Sequence, residues 1–425
     1  MLNIVAARVG IMVAVLCACS PAIAEPDLFS PQAFEGLIDL RAVGVDSQPS
    51  YLDGGSGRTR YGGTDAGGFK GQLSLADAAL VWKPQFTWAL GAIVDVEHQD
   101  GQQHPFDLVQ AYLTFRPTLP GGARFTARAG LFYPPISQEH EGPTWAVANS
   151  ITPSAINSWV GEEVKVVGGE AKLAHSFGEH QVSATVGLFG YDDTSGTLLT
   201  FRGWGLTDMK ATAFGGFNLP PIDPYMVHRQ PAYTASTAEL DGRIGYYGRL
   251  DWKPPGRFAF NAFYYDNRGD KISVDSGLQW AWATRFWNFG ASYDLDDNTR
   301  ILSQVMTGQT LMGYPDYDTP EWINLRFTSA YVLATHSFGR SGITGRAEIF
   351  ETSDRNFEPG VDDPEDNRGE HGWALTGAYR YDLTRQARLM LEVLHVQSRR
   401  PSLAEQGLAP FQGQTLLQSS IRLSF

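Results

Sequence analysis

The sequence predicts an all-β fold, namely a transmembrane antiparallel β-barrel of about 16 strands. Three observations predict it. Stretches in which apolar and polar residues alternate recur along the chain, as they do in strands with two different faces. The connections between these stretches are alternately short and long. After the N-terminal segment, no run of about 18 apolar residues occurs that would form a transmembrane helix.

Residues 1–24 have the features of a cleaved signal peptide. They contain one positive charge, Arg8, then an apolar stretch over residues 11–18, and they end in a small-residue site before position 25. The apolar stretch is too short to span a membrane as a helix. A buried first helix and a lipoprotein signal with Cys19 as the lipidated residue are the alternatives.

Composition limits the partners of the chain that follows this segment. Both cysteines, Cys17 and Cys19, lie in the signal segment, so the mature chain is predicted to lack disulfides and cysteine-ligated metals. With 33 basic and 46 acidic residues, a formal net charge of −13 argues against nucleic acid as a partner. No shift in composition divides the chain, so we expect one domain, with residues 25–32 as an N-terminal segment and 33–425 as the barrel.

The connections set the number of strands. Seven short polar turns are predicted, at residues 82–86, 116–125, 176–181, 252–258, 294–300, 337–342 and 382–388. Eight longer connections rich in Gly, Asp, Pro and Asn alternate with them, at residues 46–67, 100–105, 134–162, 193–240, 267–276, 310–324, 354–370 and 398–413. Fifteen connections imply about 16 strands, an even number with short periplasmic turns and long extracellular loops, as in bacterial outer-membrane barrels.

The two faces of the strands and the aromatic residues support a membrane setting. In the stretch that begins at Arg124, this residue and Arg128 share one face, while Phe125 and Leu131 share the other. An Arg that faces lipid at the bilayer midplane costs about 2–4 kcal/mol, so the arginine face is expected to face a wet lumen. Aromatic residues near the short turns would form an interfacial girdle: Trp82, Phe86, Trp252, Phe258, Tyr293, Phe338 and Tyr381. The alternative is that aromatic residues are simply common in strands.

The third long connection, residues 134–162, is unusual for a loop in water. It is weakly charged and contains Ile136, Trp145, Ile156 and Trp159. Because exposed apolar residues of this kind promote aggregation, we expect the loop to pack inside the barrel. A surface flap or a loop at a trimer contact is the alternative.

Charged residues of this loop and of the wall are the candidate pore constriction. The candidates are Glu139, His140, Glu141, Glu162 and Glu163 on or beside the loop and Arg41, Arg124 and Arg128 on the wall. Further arginines expected to face inward are Arg116, Arg243, Arg249, Arg285, Arg346, Arg380 and Arg422. Opposed charges would create a transverse field that selects polar solutes. Alternatively, the arginines form structural ion pairs with wall carboxylates such as Asp39, Asp95, Glu97, Glu348 and Glu392; both arrangements can hold together.

Motifs of catalysis are missing from the sequence. There is no G-x-S-x-G, no H-E-x-x-H, no phosphate-binding loop and no dinucleotide fingerprint. The acidic run "VDDPEDNRGE" at 361–370 lacks the spacing of a calcium loop and is expected to be a solvated outer loop. We therefore expect neither an enzyme nor a cofactor or resident metal.

A local motif resembles a known family. The stretch "RAGLFYPPISQEHEG" is similar to the strand and loop of the phosphate- and polyphosphate-selective porins at Gly130, Phe132, Pro135, Ser137 and Glu139. The resemblance implies a trimeric outer-membrane porin in which the loop after the fifth strand forms the constriction. Contacts with outer-membrane lipids and lipopolysaccharide are also implied. No basic residue occurs between Arg128 and Lys165, so the basic constriction of the phosphate-selective members is not reproduced.

The end of the chain also resembles a known signal. The final stretch "LQSSIRLSF" alternates up to Phe425 and is similar to the C-terminal signal that the barrel-assembly machinery recognises in outer-membrane barrels. We expect this last strand to pair with the first, near Phe34, so that the barrel has no edge.

The function expected from these features is passive diffusion of small hydrophilic solutes and ions through an outer-membrane porin. Two alternatives stay open: a substrate-specific anion channel of the phosphate type, and an exported soluble β-protein that binds carbohydrate.

Overall fold

A computed structural model describes residues 28–316 and 319–425 of the chain and contains one closed barrel of 16 antiparallel strands. We number the barrel strands in chain order as follows: β1 Phe34–Asp46, β2 Phe69–Trp82, β3 Leu90–Gln99, β4 Asp107–Phe115, β5 Arg124–Phe132, β6 Val166–Phe177, β7 His180–Gly190, β8 Gly245–Lys253, β9 Phe258–Asp266, β10 Ala283–Asp294, β11 Thr299–Met312, β12 Ile323–Phe338, β13 Ser341–Asp354, β14 Glu370–Asp382, β15 Ala387–Arg399 and β16 Phe411–Ser424. Each strand pairs with its neighbours in sequence, so the predicted fold class and strand number are confirmed. The predicted signal peptide, residues 1–24, lies outside the described residues.

Short turns and long loops lie at opposite ends of the barrel. Short turns follow the even-numbered strands, as at 339–340, and longer connections follow the odd-numbered strands, the longest being 191–244. Each of the seven predicted turns contains a short connection between two consecutive strands, and the outer residues of the predicted turns belong to those strands. The end with the short turns also carries the C-terminus, and we call it the periplasmic end.

The α-helices of the described residues are short and lie in two of the long connections. Helix α1 is Ala155–Glu163 in the third long loop, and helix α2 is Thr197–Phe201 in the fourth. Two small ribbons, His140–Glu141 with Ala146–Val147 and Gly216–Asn218 with Tyr233–Ala235, lie in the same loops. Among the described residues, no helix is long and apolar enough to cross a membrane.

The strands present one face to the lumen and one to the outside. Phe286 of β10 and Phe327 of β12 point inward and pack on Trp159 of α1, with ring centroids 5.3 and 5.2 Å away. On the outer face, apolar side chains are exposed, including Val186, Leu188, Leu250, Val332 and Ile349. Such an outer face would be an aggregation surface in water and matches a lipid environment.

Apolar and polar residues alternate poorly in two strand segments, residues 75–80 and 301–307, and the physical reason differs between them. In residues 75–80, the register shifts by one residue, because Asp39 pairs with Asp77 while Leu40 pairs with Leu75. Ala76 is therefore bulged and reverses the alternation. In residues 301–307, the inward positions include Leu302 and Met306, because apolar parts of the inserted loops lie against this wall.

The last strand closes the barrel, as predicted. Strand β16 pairs with β1 from Leu37 opposite Ser424 to Asp46 opposite Thr415. Beyond the strand, the Phe425 amide donates to the Gly36 carbonyl at 3.2 Å, and the Gly36 amide donates to the Phe425 carbonyl at 3.0 Å. The Phe425 ring covers Gly36 so closely that a side chain at that position would collide with it.

Candidate functional site: the lumen and its inserted loops

The third long loop, residues 133–165, enters the lumen, which confirms the prediction. All nine residues of α1 are buried. The helix begins after Ser154, whose hydroxyl accepts a hydrogen bond from the Asn157 amide at 3.3 Å. Since α1 is enclosed on every side, its apolar residues are covered by the wall and by other loops.

Carboxylates of the wall hold this loop by its backbone. Glu348 on β13 accepts the Ala155 amide at 2.7 Å, at the N-terminus of α1. Glu392 on β15 accepts the amides of Ile151 at 2.6 Å and Thr152 at 3.1 Å. Amides at the start of a helix have no partner within the helix and favour an anion, so these contacts orient α1 in the lumen.

Glu139 is a buried junction between the loop and the wall. Its carboxylate lies 2.9 Å from Nη1 of Arg346 and accepts the Ser154 amide at 2.9 Å. The amide group of Asn157 donates to the same carboxylate. Arg346 also contacts Glu348 at 2.9 Å. Glu139 is 3% exposed, so its carboxylate is buried in these contacts and does not face open solvent.

The fourth long loop, residues 191–244, also enters the lumen, which the sequence analysis did not predict. Glu163, the last residue of α1, caps α2 by accepting the amides of Leu198 at 2.7 Å and Gly196 at 3.2 Å. The Trp159 indole donates to the same carboxylate at 2.7 Å. Burial raises the pKa of Glu163 to about 7, and the hydrogen bonds from Leu198 and Trp159 only partly oppose this rise.

Glu162 joins three loops. Its two oxygens accept bidentate contacts from Nη1 and Nη2 of Arg202, both at 2.7 Å. The Tyr51 hydroxyl donates to Glu162 from the first long loop, and the Thr207 hydroxyl donates at 3.0 Å. The Arg202 guanidinium also lies over the Tyr51 ring, 4.5 Å from its centroid.

Arg41 is surrounded by carboxylates. Its Nη2 lies 2.7 Å from Asp39, 2.6 Å from Asp208 and 3.4 Å from Asp77. Asp208 comes from the fourth loop and is shared with Arg60 of the first loop at 3.1 Å. Since Arg41 is buried and paired, it anchors inserted loops to β1 and β2.

Arg128 also forms an ion pair, with a carboxylate of the neighbouring strand β6. Its Nε and Nη2 lie 2.9 and 3.0 Å from the two oxygens of Glu170 on β6. Nη2 also donates to the Tyr133 carbonyl at 3.0 Å, where the third loop begins. The Tyr247 hydroxyl donates to Glu170 at 2.7 Å, so this pair is fixed from β8 as well.

A second buried group of charges lies under β3. Lys210 of the fourth loop donates to Glu97 at 2.7 Å and to the Thr144 carbonyl at 3.0 Å. Lys165 donates to the Ala211 carbonyl, and burial lowers its pKa to about 7. Asp95 is fully buried, and neither of its carboxylate oxygens has a hydrogen-bond partner among the described residues.

His140 belongs to an aromatic stack. Its ring lies 3.6 Å from the ring of Trp145, which lies 3.8 Å from the ring of Tyr133 on its other face. The Ser137 hydroxyl contacts Nδ1 of His140 at 2.8 Å. Burial holds the pKa of His140 well below its usual range, and the Lys210 charge adds to this effect. A neutral imidazole therefore stacks at the tip of the third loop.

Glu141 and Arg124 differ from the other candidates because both are exposed. They line a cavity of about 680 Å³ that is bounded by β5 to β11 and the third loop. The cavity wall also carries Lys172, Arg249 and Arg300. We call this space the periplasmic vestibule.

Charges in the vestibule are only partly neutralised. Asp251 lies 2.6 Å from Arg249 and 3.9 Å from Lys172. Arg300 lies 3.4 Å from Asp294. For Arg124, no ion pair with a carboxylate is found in the described part of the chain. The vestibule therefore has a surplus of positive charge although the whole chain is acidic.

The predicted arginine wall needs two corrections. Arg285 was expected to face inward, but it lies between the inward residues Thr284 and Phe286 and is exposed on the outer face. Arg243 lies in a connection and pairs with Asp270 at 2.8 Å, outside the strands. Arg285 shares its face with the exposed Trp287 and Phe289 of β10, and Arg243 lies just before β8 begins, outside the alternating stretch.

The sequence analysis also missed functional residues of the fourth loop. Arg202, Asp208 and Lys210 all bind carboxyl or arginine groups of the third loop or the wall. A signal was available in the segment "FRGWGLTDMKATAF", residues 201–214, which mixes large apolar residues with single charges as the third loop does.

Comparisons with known proteins support the fold. No protein-family model and no curated protein matches the chain. Among solved structures, the outer membrane channel DcaP of Acinetobacter baumannii is similar with a TM-score of 0.54 at 10% identity, covering 96% of this chain and 100% of that chain. An anion-selective porin from Comamonas acidovorans is similar with a TM-score of 0.52 at 12% identity, covering 92% and 98%. A loop-deletion mutant of OmpT, an outer membrane protein of Vibrio cholerae, has a TM-score of 0.51 at 9% identity, covering 92% and 98%.

These likenesses concern the fold alone, because the identities are low. The class defined by the closed 16-strand barrel, its apolar outer face and its inserted loop is the outer-membrane β-barrel of porin type. The outer membrane is therefore the location of this chain. Membership of the phosphate-selective family stays a prediction, because no family model matches.

Proposed function

We propose that this protein is a passive channel through which small hydrophilic solutes and ions cross the outer membrane. The observation that carries the proposal is the contrast between an apolar outer face and a lumen that holds many charged and polar side chains beside the apolar cluster around Trp159, inside one closed barrel. Polar side chains are costly where lipid surrounds them and useful where water and solutes pass. Diffusion down a gradient requires no cofactor and no energy source.

The inserted loops would form the constriction of this channel. Glu139, Glu162 and Arg41 each form buried ion pairs, and we infer that these pairs hold the loops in position. Exposed groups such as Arg124 and Glu141 are then the ones that a passing solute meets. Because the first, third and fourth long loops all enter the upper lumen, we expect a narrow channel with a small conductance.

A second candidate, a channel with a preference for anions, is favoured by the vestibule. Its basic residues are Arg124, Lys172, Arg249, Lys253 and Arg300, against Asp251 and Glu141. Surplus positive charge in a low-dielectric mouth raises the local concentration of anions. This preference concerns small anions as a class and does not require a phosphate site.

Reversal potentials in planar bilayers under a KCl gradient test both candidates. We expect anion preference for the native protein and a shift toward cations for Arg249→Gln with Arg300→Gln. Arg257→Gln is the matched control, since Arg257 is an exposed arginine near a periplasmic turn outside the vestibule. A native protein without anion preference would reject the second candidate, equal reversal potentials for the native protein and the vestibule variant would reject the vestibule as the source of the preference, and an absence of current would reject the channel.

We also propose that the protein assembles as a homotrimer embedded in outer-membrane lipids. The proposal is supported by the porin-type fold that the chain shares with the solved channels and porins. Native mass spectrometry from detergent tests it, with a mass of three chains expected. A single-chain mass under conditions that preserve a folded barrel would reject the trimer.

A further inference from the structure

A buried arginine without a carboxylate partner lies at the extracellular end of the lumen. Arg400 directly follows β15 and is 6% exposed. Its Nε donates to the Ser402 hydroxyl at 3.0 Å, and its Nη2 donates to the Thr200 carbonyl at 2.6 Å. In the described part of the chain, Nη1 makes no hydrogen bond and the guanidinium makes no ion pair. Arg400 therefore connects α2 of the fourth loop to the wall while its own charge is unmatched.

Glu370, a carboxylate close to Arg400, is already bound by other groups. One of its oxygens accepts a hydrogen bond from Nη1 of Arg58, and the other accepts the Trp204 amide at 3.0 Å. A Cβ added to Gly203 would overlap with Oε2 of Glu370 and lie 3.3 Å from Nη1 of Arg400. The carboxylate and the Arg400 guanidinium are thus close together without forming an ion pair.

The charges in this part of the lumen do not balance. Arg58 and Arg400 carry two positive charges against the one negative charge of Glu370, and Arg368 nearby has its own partner, Asp223, at 3.0 Å. Burial lowers the pKa of Arg400 to about 10, the Arg58 charge adds to this effect, and Glu370 opposes it only in part. Arg400 is therefore still charged at neutral pH. Because an uncompensated buried charge is costly, a counter-ion is favoured here.

Two buried hydroxyls beside Arg400 also lack a hydrogen-bond partner among the described residues. The first is Oγ1 of Thr200, the residue whose carbonyl binds Arg400. The second is Oγ of Ser398, which lies two residues before Arg400 and faces inward from β15. Buried polar groups normally have a partner, which is protein, water or a ligand. Hydroxyl and guanidinium groups can both donate, so the unmatched charge is accompanied by three unused donors.

We propose that Nη1 of Arg400 and the hydroxyls of Thr200 and Ser398, together named the Arg400 site, bind a small monovalent inorganic anion such as chloride. An anion accepts hydrogen bonds from all three groups and neutralises the surplus charge, whereas a water molecule would leave the charge uncompensated. Thr200 belongs to α2 and Ser398 to β15, so the bound anion fastens the fourth loop to the wall. The site lies at the opposite end of the barrel from the periplasmic vestibule and does not depend on conduction.

Anomalous diffraction from crystals of the full chain soaked in bromide tests the site directly. We expect a bromide peak within hydrogen-bond distance of Nη1 of Arg400 and of the Ser398 hydroxyl, and no peak there in Arg400→Gln. Arg257→Gln is the matched control, because it removes an exposed arginine near a periplasmic turn, and it should keep the peak. Native crystals without bromide at this position would overturn the proposal.

Hydrogen exchange of the Thr197–Phe201 amides tests the same site in solution. As chloride replaces gluconate at constant pH and ionic strength, we expect protection to rise by about tenfold or more and then to saturate, because the anion binds only while α2 is packed. This rise should be lost in Arg400→Gln and kept in Arg257→Gln. Equal protection of the native amides in chloride and gluconate would overturn the proposal, and so would an unchanged rise in Arg400→Gln.

A second variant keeps the test decisive if Arg400→Gln does not fold. Ser398→Ala removes one donor without changing the charge, so we expect the rise in protection to need more chloride than in the native protein. Heat-dependent mobility in detergent gels verifies that each barrel is folded. A chloride dependence identical to that of the native protein would show that Ser398 does not contact the anion and would overturn the site as assigned.

Discussion

Glu162 and Arg202 form a bidentate ion pair inside the barrel, with both oxygen–nitrogen distances at 2.7 Å. Glu162 belongs to the third long loop and Arg202 to the fourth, and both side chains are buried. The pair therefore links the third and fourth long loops inside the lumen. Through the Tyr51 hydroxyl, the first long loop is attached to the same carboxylate.

Breaking this pair should loosen the fourth loop. In Glu162→Gln, Arg202 stays buried without its counter-charge, which typically costs about 3–5 kcal/mol. We expect a lower midpoint of thermal unfolding and faster protease cleavage within residues 191–244. Arg257→Gln removes an exposed pair with Asp297 at 3.7 Å and should change stability by less than about 1 kcal/mol. Equal thermal midpoints for the native protein and Glu162→Gln would contradict the linking role.

Protonation of Glu163 should stabilise the packing of α2. Its pKa of about 7 in the folded protein exceeds the ordinary carboxyl value of about 4.3. Between these values the packed state holds a proton that the opened state releases, so the free energy of opening rises as pH falls from about 7 to about 4.5. Hydrogen exchange of the Thr197–Phe201 amides, corrected for intrinsic rates, measures this. In Glu163→Gln the pH dependence should shrink, and an unchanged dependence would exclude Glu163 as its source.

Deleting Phe425 should impair assembly much more than conductance. The residue extends the pairing of β16 with β1 through Gly36 and lies exposed at the periplasmic end. We expect less folded barrel in washed outer membranes, measured by heat-dependent mobility, and normal single-channel conductance in the molecules that assemble. Phe411→Ala is the control, since Phe411 is an exposed aromatic at the other end of the same strand. Normal insertion of the truncated chain would contradict an assembly role.

Much of the fold could be predicted because its determinants are local. Alternation within each strand and the polar residues of each turn identify the 16 strands, and the apolar content of residues 134–162 indicates an inserted loop. The site is less predictable, because its pairs join distant parts of the chain. Arg41 meets Asp208 only after the barrel closes and the fourth loop turns inward.

The facing of single residues near strand ends was the weakest part of the prediction. Arg285 is outward because Phe286, its neighbour, packs on Trp159 of the inserted helix. The alternation within β10 also places Arg285 on the same face as the exposed Trp287 and Phe289, so the sequence held this information and the prediction did not use it. The bulge at Ala76 also made the facing of residues in β2 hard to predict, because one extra residue reverses the faces of a strand.

The single-channel conductance of the purified protein in planar bilayers tests the central claim most directly, namely that the lumen conducts and that the inserted loops narrow it. We expect small, ohmic steps for the native protein. Replacing residues 194–212 with a short Gly–Ser linker should give larger steps, because α2 and its buried neighbours leave the lumen. No steps from either folded protein would contradict the channel, and equal steps from both would contradict the constriction.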